Sequence, residues 1–232
     1  MSSVPRRLLE VSFHKAAQVY LHSLPLEHFM ESTGQGTQRK ITLESLDLVA
    51  AVLSQVHVYN ELLVQWRVGR DKTIRQVVPD NMVVVHDGPI EAETSYDVPL
   101  QPAGPFWVFE YVSKRSERKD FEESFAKYEK ELKVPYYLVF YPDNQELTLY
   151  HRGRTKYVSV KPNAAGRLAI PELEIEVGIL DGWVRFWFRG RLLPLPGELQ
   201  RELDETRRQL ADALDELARV RAELERLRGS KP

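Results

Sequence analysis

No cysteine occurs in the 232 residues, which excludes disulfides, thiolate catalysis and Cys-ligated zinc or iron–sulfur centres and fits a reducing compartment. An excess of one charge is missing as well. The chain has 32 Lys and Arg against 34 Asp and Glu, a formal net charge of -2, so no global basic field announces nucleic acid. Any such contact must come from a local patch. No uncharged apolar run is long enough to span a bilayer, and the two arginines near Met1 are not followed by an apolar block of signal-peptide length. The expectation is a cytoplasmic protein without membrane contact. Gly-rich phosphate loops, HExxH and Gly-x-Ser-x-Gly are also absent, which counts against a P-loop NTPase, a zincin and an α/β-hydrolase.

What is present is a globular composition, 43% hydrophobic and 28% charged, at a length that holds one domain with a sizeable core plus an appendage. From Gln38 to about Leu53, apolar residues recur at helical spacing, with Thr42 as a candidate cap. From Val56 to Trp66 the spacing tightens to alternation, which predicts a strand, and the apolar run Val77 to Val85, crossed by Pro79 and Asp80, predicts a second. Gly88 to Gly104 reads as a long surface connection. Phe106 to Val112 is a further strand, carrying one carboxylate, Glu110.

Ser113 to Lys133 is helix-prone, with Phe121, Phe125, Tyr128 and Leu132 spaced to face a core. Tyr136 to Tyr141 and Glu146 to Tyr150 form a hairpin about Pro142-Asp143-Asn144, and short β candidates follow at Thr155 to Val160, Leu173 to Val177 and Val184 to Phe188. The order is that of an α/β domain with mixed strand pairing. It gives a domain over 1–193, a Pro-rich linker over 194–198 and a heptad-patterned segment over 199–228.

Two carboxylates embedded in apolar strands, Asp80 and Glu110, carry the chemical signal. Buried charges are costly and call for a cation. Adjacent central strands can bring such groups together around Mg²⁺, which prefers hard oxygen ligands and retained water, can activate that water and can neutralise a phosphate; carboxylates accept Mn²⁺ as well. Asp120 and Lys127 are spaced to share a helix face, and Lys114, Arg115, Arg118 and Lys119 form a local basic cluster suited to a phosphate backbone. Each has a plainer reading: Asp80 after proline as a turn former, Glu110 as an ion-pair partner, the lysines as solvated side chains, Ser113 as a cap. His57 lacks a ligand-spaced partner and reads as packing.

These residues resemble the nucleases of the PD-(D/E)XK superfamily and, within it, the Uma-two family of restriction endonucleases. The resemblance runs in order through Val-Pro-Asp80, Glu110-x-Val-Ser113, the helix with spaced Asp120 and Lys127, Val134-Pro135-Tyr136-Tyr137 and the heptad tail. It implies a restriction-endonuclease-like mixed sheet flanked by helices, metal ligation by Asp80 and Glu110, and DNA as substrate. The lysine usual two residues after the glutamate is Val112 here, and the Uma-two pattern shares that change and offers Lys127 in its place. The resemblance also points, more loosely, to Glu31 as a further acidic ligand; Ser113 is a candidate phosphate contact.

In the tail, Leu203, Leu210, Leu217 and Leu224 at heptad position a place Leu199, Thr206, Ala213, Val220 and Leu227 at d. Glu202, Glu216 and Glu223 then fall at g, and Arg207, Arg221 and Arg228 at the following e, opposite signs that favour a parallel coiled-coil homodimer. Two functions compete: a Mg²⁺-dependent DNA endonuclease, and a non-catalytic scaffold that keeps the nuclease fold and recruits a partner through its tail.

Overall fold

The computed structural model describes residues 5–24, 32–69, 73–112 and 123–229. Its contacts divide the chain into two compact units, Met1–Leu193 and Pro194–Pro232. Glu31, Ser113, Asp120 and the basic cluster from Lys114 to Lys119 lie outside the described residues.

Two helices open the first unit, α1 (Arg6–Ser23) and α2 (Thr33–Ala50). The sequence reading did not identify α1. It buries Phe13, whose carbonyl accepts from Gln65 Nε2 at 3.3 Å. Helix α2 begins earlier than its apolar spacing suggested, because the Ser32 side chain accepts from Gln35 N–H at 3.1 Å and caps it. Thr42 is therefore not a cap. It lies buried inside α2, its hydroxyl donating to Gln38 O at 2.9 Å.

The largest sheet has six strands: β1 (Val56–Asn60), β4 (Asn81–Val85), β6 (Trp107–Tyr111), β7 (Tyr136–Tyr141), β8 (Glu146–Arg152) and β9 (Tyr157–Ser159), in the spatial order β1-β4-β6-β7-β8-β9. All neighbours are antiparallel except β6 and β7, which run parallel. A parallel pair requires a crossover. Its described part is helical at 123–126 and continues as a π-helix, Lys127–Leu132, closed by Lys133 in the left-handed conformation.

Both long strands expected before residue 86 are broken. Val56 to Trp66 divides at Glu61, whose positive φ of 48° turns the chain out of the large sheet into β2 (Leu63–Val68). Val77 to Val85 divides at Pro79, which has no N–H to give a ladder, so β3 (Thr73–Val77) joins β2 and β5 (Ser95–Asp97) in a three-stranded sheet while Asn81 starts β4. Strand β5 lies inside the stretch read as a connection.

A third sheet, entirely antiparallel, contains β10 (Leu168–Ile170), β11 (Ile175–Leu180), β12 (Trp183–Phe188) and β13 (Arg191–Leu192). Leu173, expected in a strand, belongs to a 3₁₀ turn. Gln38 ties this sheet to α2. Its amide, 1% exposed, accepts from Val184 N–H at 2.9 Å and donates to Val184 O at 3.0 Å.

The main core lies on the face of the large sheet that carries Met82, Val84, Val108, Tyr137 and Val139, and it includes Tyr128 from the crossover. Register places Met82 opposite Val108, Val108 beside Tyr137 and Glu110 beside Val139. Because strand side chains alternate, Glu110 shares the face of Val108 and points into this core.

The second unit contains helix α3 (Pro196–Gly229). It starts inside the stretch expected to be a linker, because Pro196 suits a first helical position and Glu198 reaches back to accept from Leu195 N–H at 2.7 Å. Residues 201–226 are exposed in the single chain, among them the seam residues Leu203, Leu210, Leu217, Val220 and Leu224.

Candidate active site

Asp80 occupies the bend just before β4, and Glu110 lies one residue from the end of β6. The pairing of Asn81 with Phe109 brings them together. Val112 N–H donates to Phe140 O on the β7 side, so the N–H of Tyr111, one residue earlier, points to the β4 side. Strand β4 has not yet begun at that level. The Asp80 carboxylate takes the vacant ladder position and accepts from Tyr111 N–H through Oδ2 at 2.7 Å. In return Asp80 N–H donates to Glu110 Oε2 at 3.3 Å, across 30 residues of sequence.

The remaining donors to the pair among the described residues are neutral. Gln35 Nε2, from the first turn of α2, donates to Asp80 Oδ1 at 3.3 Å, and Tyr128 Oη donates to Glu110 Oε1 at 2.6 Å. A narrow crevice of about 10 Å³, enough for one water, lies beside Asp80 and is lined by Gln35, Arg39, Glu61, Asn81 and Tyr111. Arg39 is engaged with Glu61 at 2.8 Å. Asn81 is 5% exposed and its Oδ1 has no hydrogen-bond partner among the described residues. Helix α2 comes close here at Gly34, where a Cβ would lie 2.8 Å from Tyr111 Oη.

Burial pushes Asp80 up to about 6; the Tyr111 N–H bond opposes that rise and the nearby Glu61 charge adds to it. Glu110 is raised well above the ordinary carboxylate range, first by burial and then by repulsion from Asp80. A proton shared between the two groups relieves the repulsion, and a divalent cation would do so more completely. Two hard oxygen donors of this kind fit Mg²⁺ or Mn²⁺. Among the described residues no cluster of three or more His, Asp or Glu side chains could hold a metal.

The structure thus unites Asp80 with Glu110. Lys127 opens the π-helical segment, and its Nζ meets Glu123 Oε1 at 2.9 Å, with 18% of the lysine side chain exposed. His57 bonds through Nε2 to His86 O at 3.0 Å, a bond between β1 and the end of β4. Two side chains that touch the pair escaped the sequence reading. Gln35 precedes Gln38, where the apolar spacing begins. Tyr128 is spaced to face a core, and its hydroxyl is the available signal, since a buried tyrosine needs a partner for its O–H.

The family model Uma2, described as "Putative restriction endonuclease", matches residues 26–180. A solved structure similar to this chain is a "putative nuclease belonging to DUF820" from Anabaena variabilis, 14% identical, covering 62% of this chain and 75% of that one with a TM-score of 0.46. No curated protein matches the sequence.

Proposed function

The chain belongs to the Uma2 family, and from that premise we propose that it is a divalent-metal-dependent DNA endonuclease with its centre at Asp80 and Glu110. The observation that carries this reading is the approach of two half-buried carboxyl groups, Asp80 just before β4 and Glu110 on β6, whose hydrogen-bond donors among the described residues are all neutral. Such a pair is destabilising to the bare protein and suits a site built for a cation.

Asp80 and Glu110 would hold Mg²⁺ or Mn²⁺, which when bound supplies an activated water and neutralises charge on a phosphodiester. Tyr111 N–H and Gln35 hold the Asp80 carboxylate in place. Lys127 is assigned to orient the attacking water or the scissile phosphate, which requires its Nζ to exchange Glu123 for the substrate. Glu31, Asp120 and Ser113 remain secondary candidates for ligation and phosphate contact. The α3 seams of two chains would pair in parallel, giving a cytoplasmic homodimer with two centres for the two strands of a duplex.

The test is incubation of supercoiled plasmid, linear duplex and single-stranded DNA with Mg²⁺ or Mn²⁺, using wild type, Asp80→Asn and Glu110→Gln. Cleavage by wild type alone is expected. Equal cleavage by all three proteins would move the centre elsewhere. No cleavage of any DNA form with either ion would favour the scaffold reading, for which Val112 in place of the usual lysine and the engagement of Lys127 by Glu123 are the supporting observations.

A further inference from the structure

Glu110 is held through both of its oxygens, and the two holds differ in kind. Oε2 accepts the main-chain N–H of Asp80 at 3.3 Å, a long bond to the residue that would share the cation. Oε1 accepts the hydroxyl of Tyr128 at 2.6 Å, a short bond from a side chain with no exposed surface. The tyrosine ring packs against Tyr137 with centroids 5.0 Å apart, and Tyr137 is itself buried in the same core. Its hydroxyl therefore has little freedom to move.

The segment that carries it is widely wound. Tyr128 is the second residue of the π-helix, and its carbonyl accepts from both Lys133 N–H and Val134 N–H, at 2.9 Å for the latter. A wide turn of this kind interrupts the α-helical winding, and such π-turns occur frequently at functional sites. The sheet supplies the other half of the geometry, since Val108, Glu110 and Tyr137 share the face that Tyr128 packs on.

We propose that Tyr128 is a positioning residue for Glu110: its hydroxyl occupies Oε1, fixes the rotation of the carboxylate and leaves Oε2 as the atom turned toward Asp80 and a shared divalent ion. The proposal rests on the reading of Asp80 and Glu110 as metal ligands. Phenylalanine at this position would fill the same space and leave Oε1 buried and without its donor, so the carboxylate would turn to find another.

Two measurements on the full-length chain test this, with Tyr128→Phe checked for retained melting temperature. The first needs no metal: crystal structures of metal-free wild type and Tyr128→Phe are compared at Glu110. A carboxylate that turns away from its wild-type orientation supports the proposal. One that keeps its orientation and order overturns it, whatever the metal data show. The second is Mn²⁺ binding followed by electron paramagnetic resonance in wild type, Tyr128→Phe, Glu110→Gln and the double variant. Loss of a ligand's supporting hydrogen bond typically weakens a metal about tenfold or more, and that loss is expected in Tyr128→Phe but not on the Glu110→Gln background. An equal loss on both backgrounds means general loosening of the core and overturns the proposal. Absence of Mn²⁺ binding in wild type defeats the metal reading of the site, and the crystal comparison then decides the role of Tyr128 by itself.

Discussion

Tyr111 N–H donates to Asp80 Oδ2 at 2.7 Å, so the residue beside one half-buried carboxylate anchors the other. The main chain thereby sets the spacing of the pair before any ligand arrives. Changing either carboxylate alters charge while leaving this main-chain frame in place, which makes isosteric substitutions informative.

Asp80→Asn and Glu110→Gln are each expected to abolish metal-dependent DNA cleavage with the fold retained. The measurement is product formation against metal concentration, together with circular dichroism. Wild-type cleavage by both variants would remove the pair from the chemistry.

The same substitution should make the metal-free protein more stable at alkaline pH. Asp80 in the folded chain is raised from 3.8 to about 6. A carboxyl raised on folding contributes stability that is fully present below its unfolded value and is lost as pH rises through its folded value. Asp80→Asn escapes that loss, and should stabilise the metal-free chain at pH 8 by roughly 1–3 kcal/mol with little effect at pH 4. Urea melts at the two pH values decide this, and a destabilised Asp80→Asn at pH 8 would mean that its hydrogen bonds outweigh the burial of charge.

Lys127→Ala separates two roles for the lysine. If Lys127 acts on the reacting groups, turnover should fall by more than DNA affinity. Matched losses in kcat and in binding would make it a phosphate anchor, and no change in either would leave it as the partner of Glu123 alone.

Gln38→Leu provides a stability control remote from the acid pair. The amide satisfies both main-chain groups of Val184 from inside the core, and removing it leaves a buried N–H and C=O without those partners. A loss of roughly 2–4 kcal/mol is expected from two such groups, read as a lowered urea midpoint. A shift within error would show that water replaces the amide.

Truncation after Leu193 removes α3. Sedimentation at matched concentration is expected to give a dimer for the full chain and a lower mass per particle for the truncated one, with the sheet signal in circular dichroism retained. Equal numbers of chains per particle would exclude the α3 seam as the association element.

Local pattern in the sequence determined much of this protein. The apolar run Tyr136–Tyr141 forms β7 with the bounds that its residues announce, because strand preference and burial agree from Tyr136 to Phe140. The heptad spacing produces one continuous helix, and Asp80 and Glu110 are conspicuous as charges among apolar strand residues. Other features came only with tertiary structure. The 56–66 and 77–85 segments look continuous by hydrophobicity, yet Glu61 and Pro79 divide each between two sheets, a choice made by the partners available to each half. Contact between Asp80 and Glu110 depends on the register of Asn81 with Phe109, and the bond from Tyr128 to Glu110 joins a π-helical segment to β6. Register and helix winding are settled by which distant groups satisfy one another's hydrogen bonds once water is excluded, and that condition exists only in the assembled core.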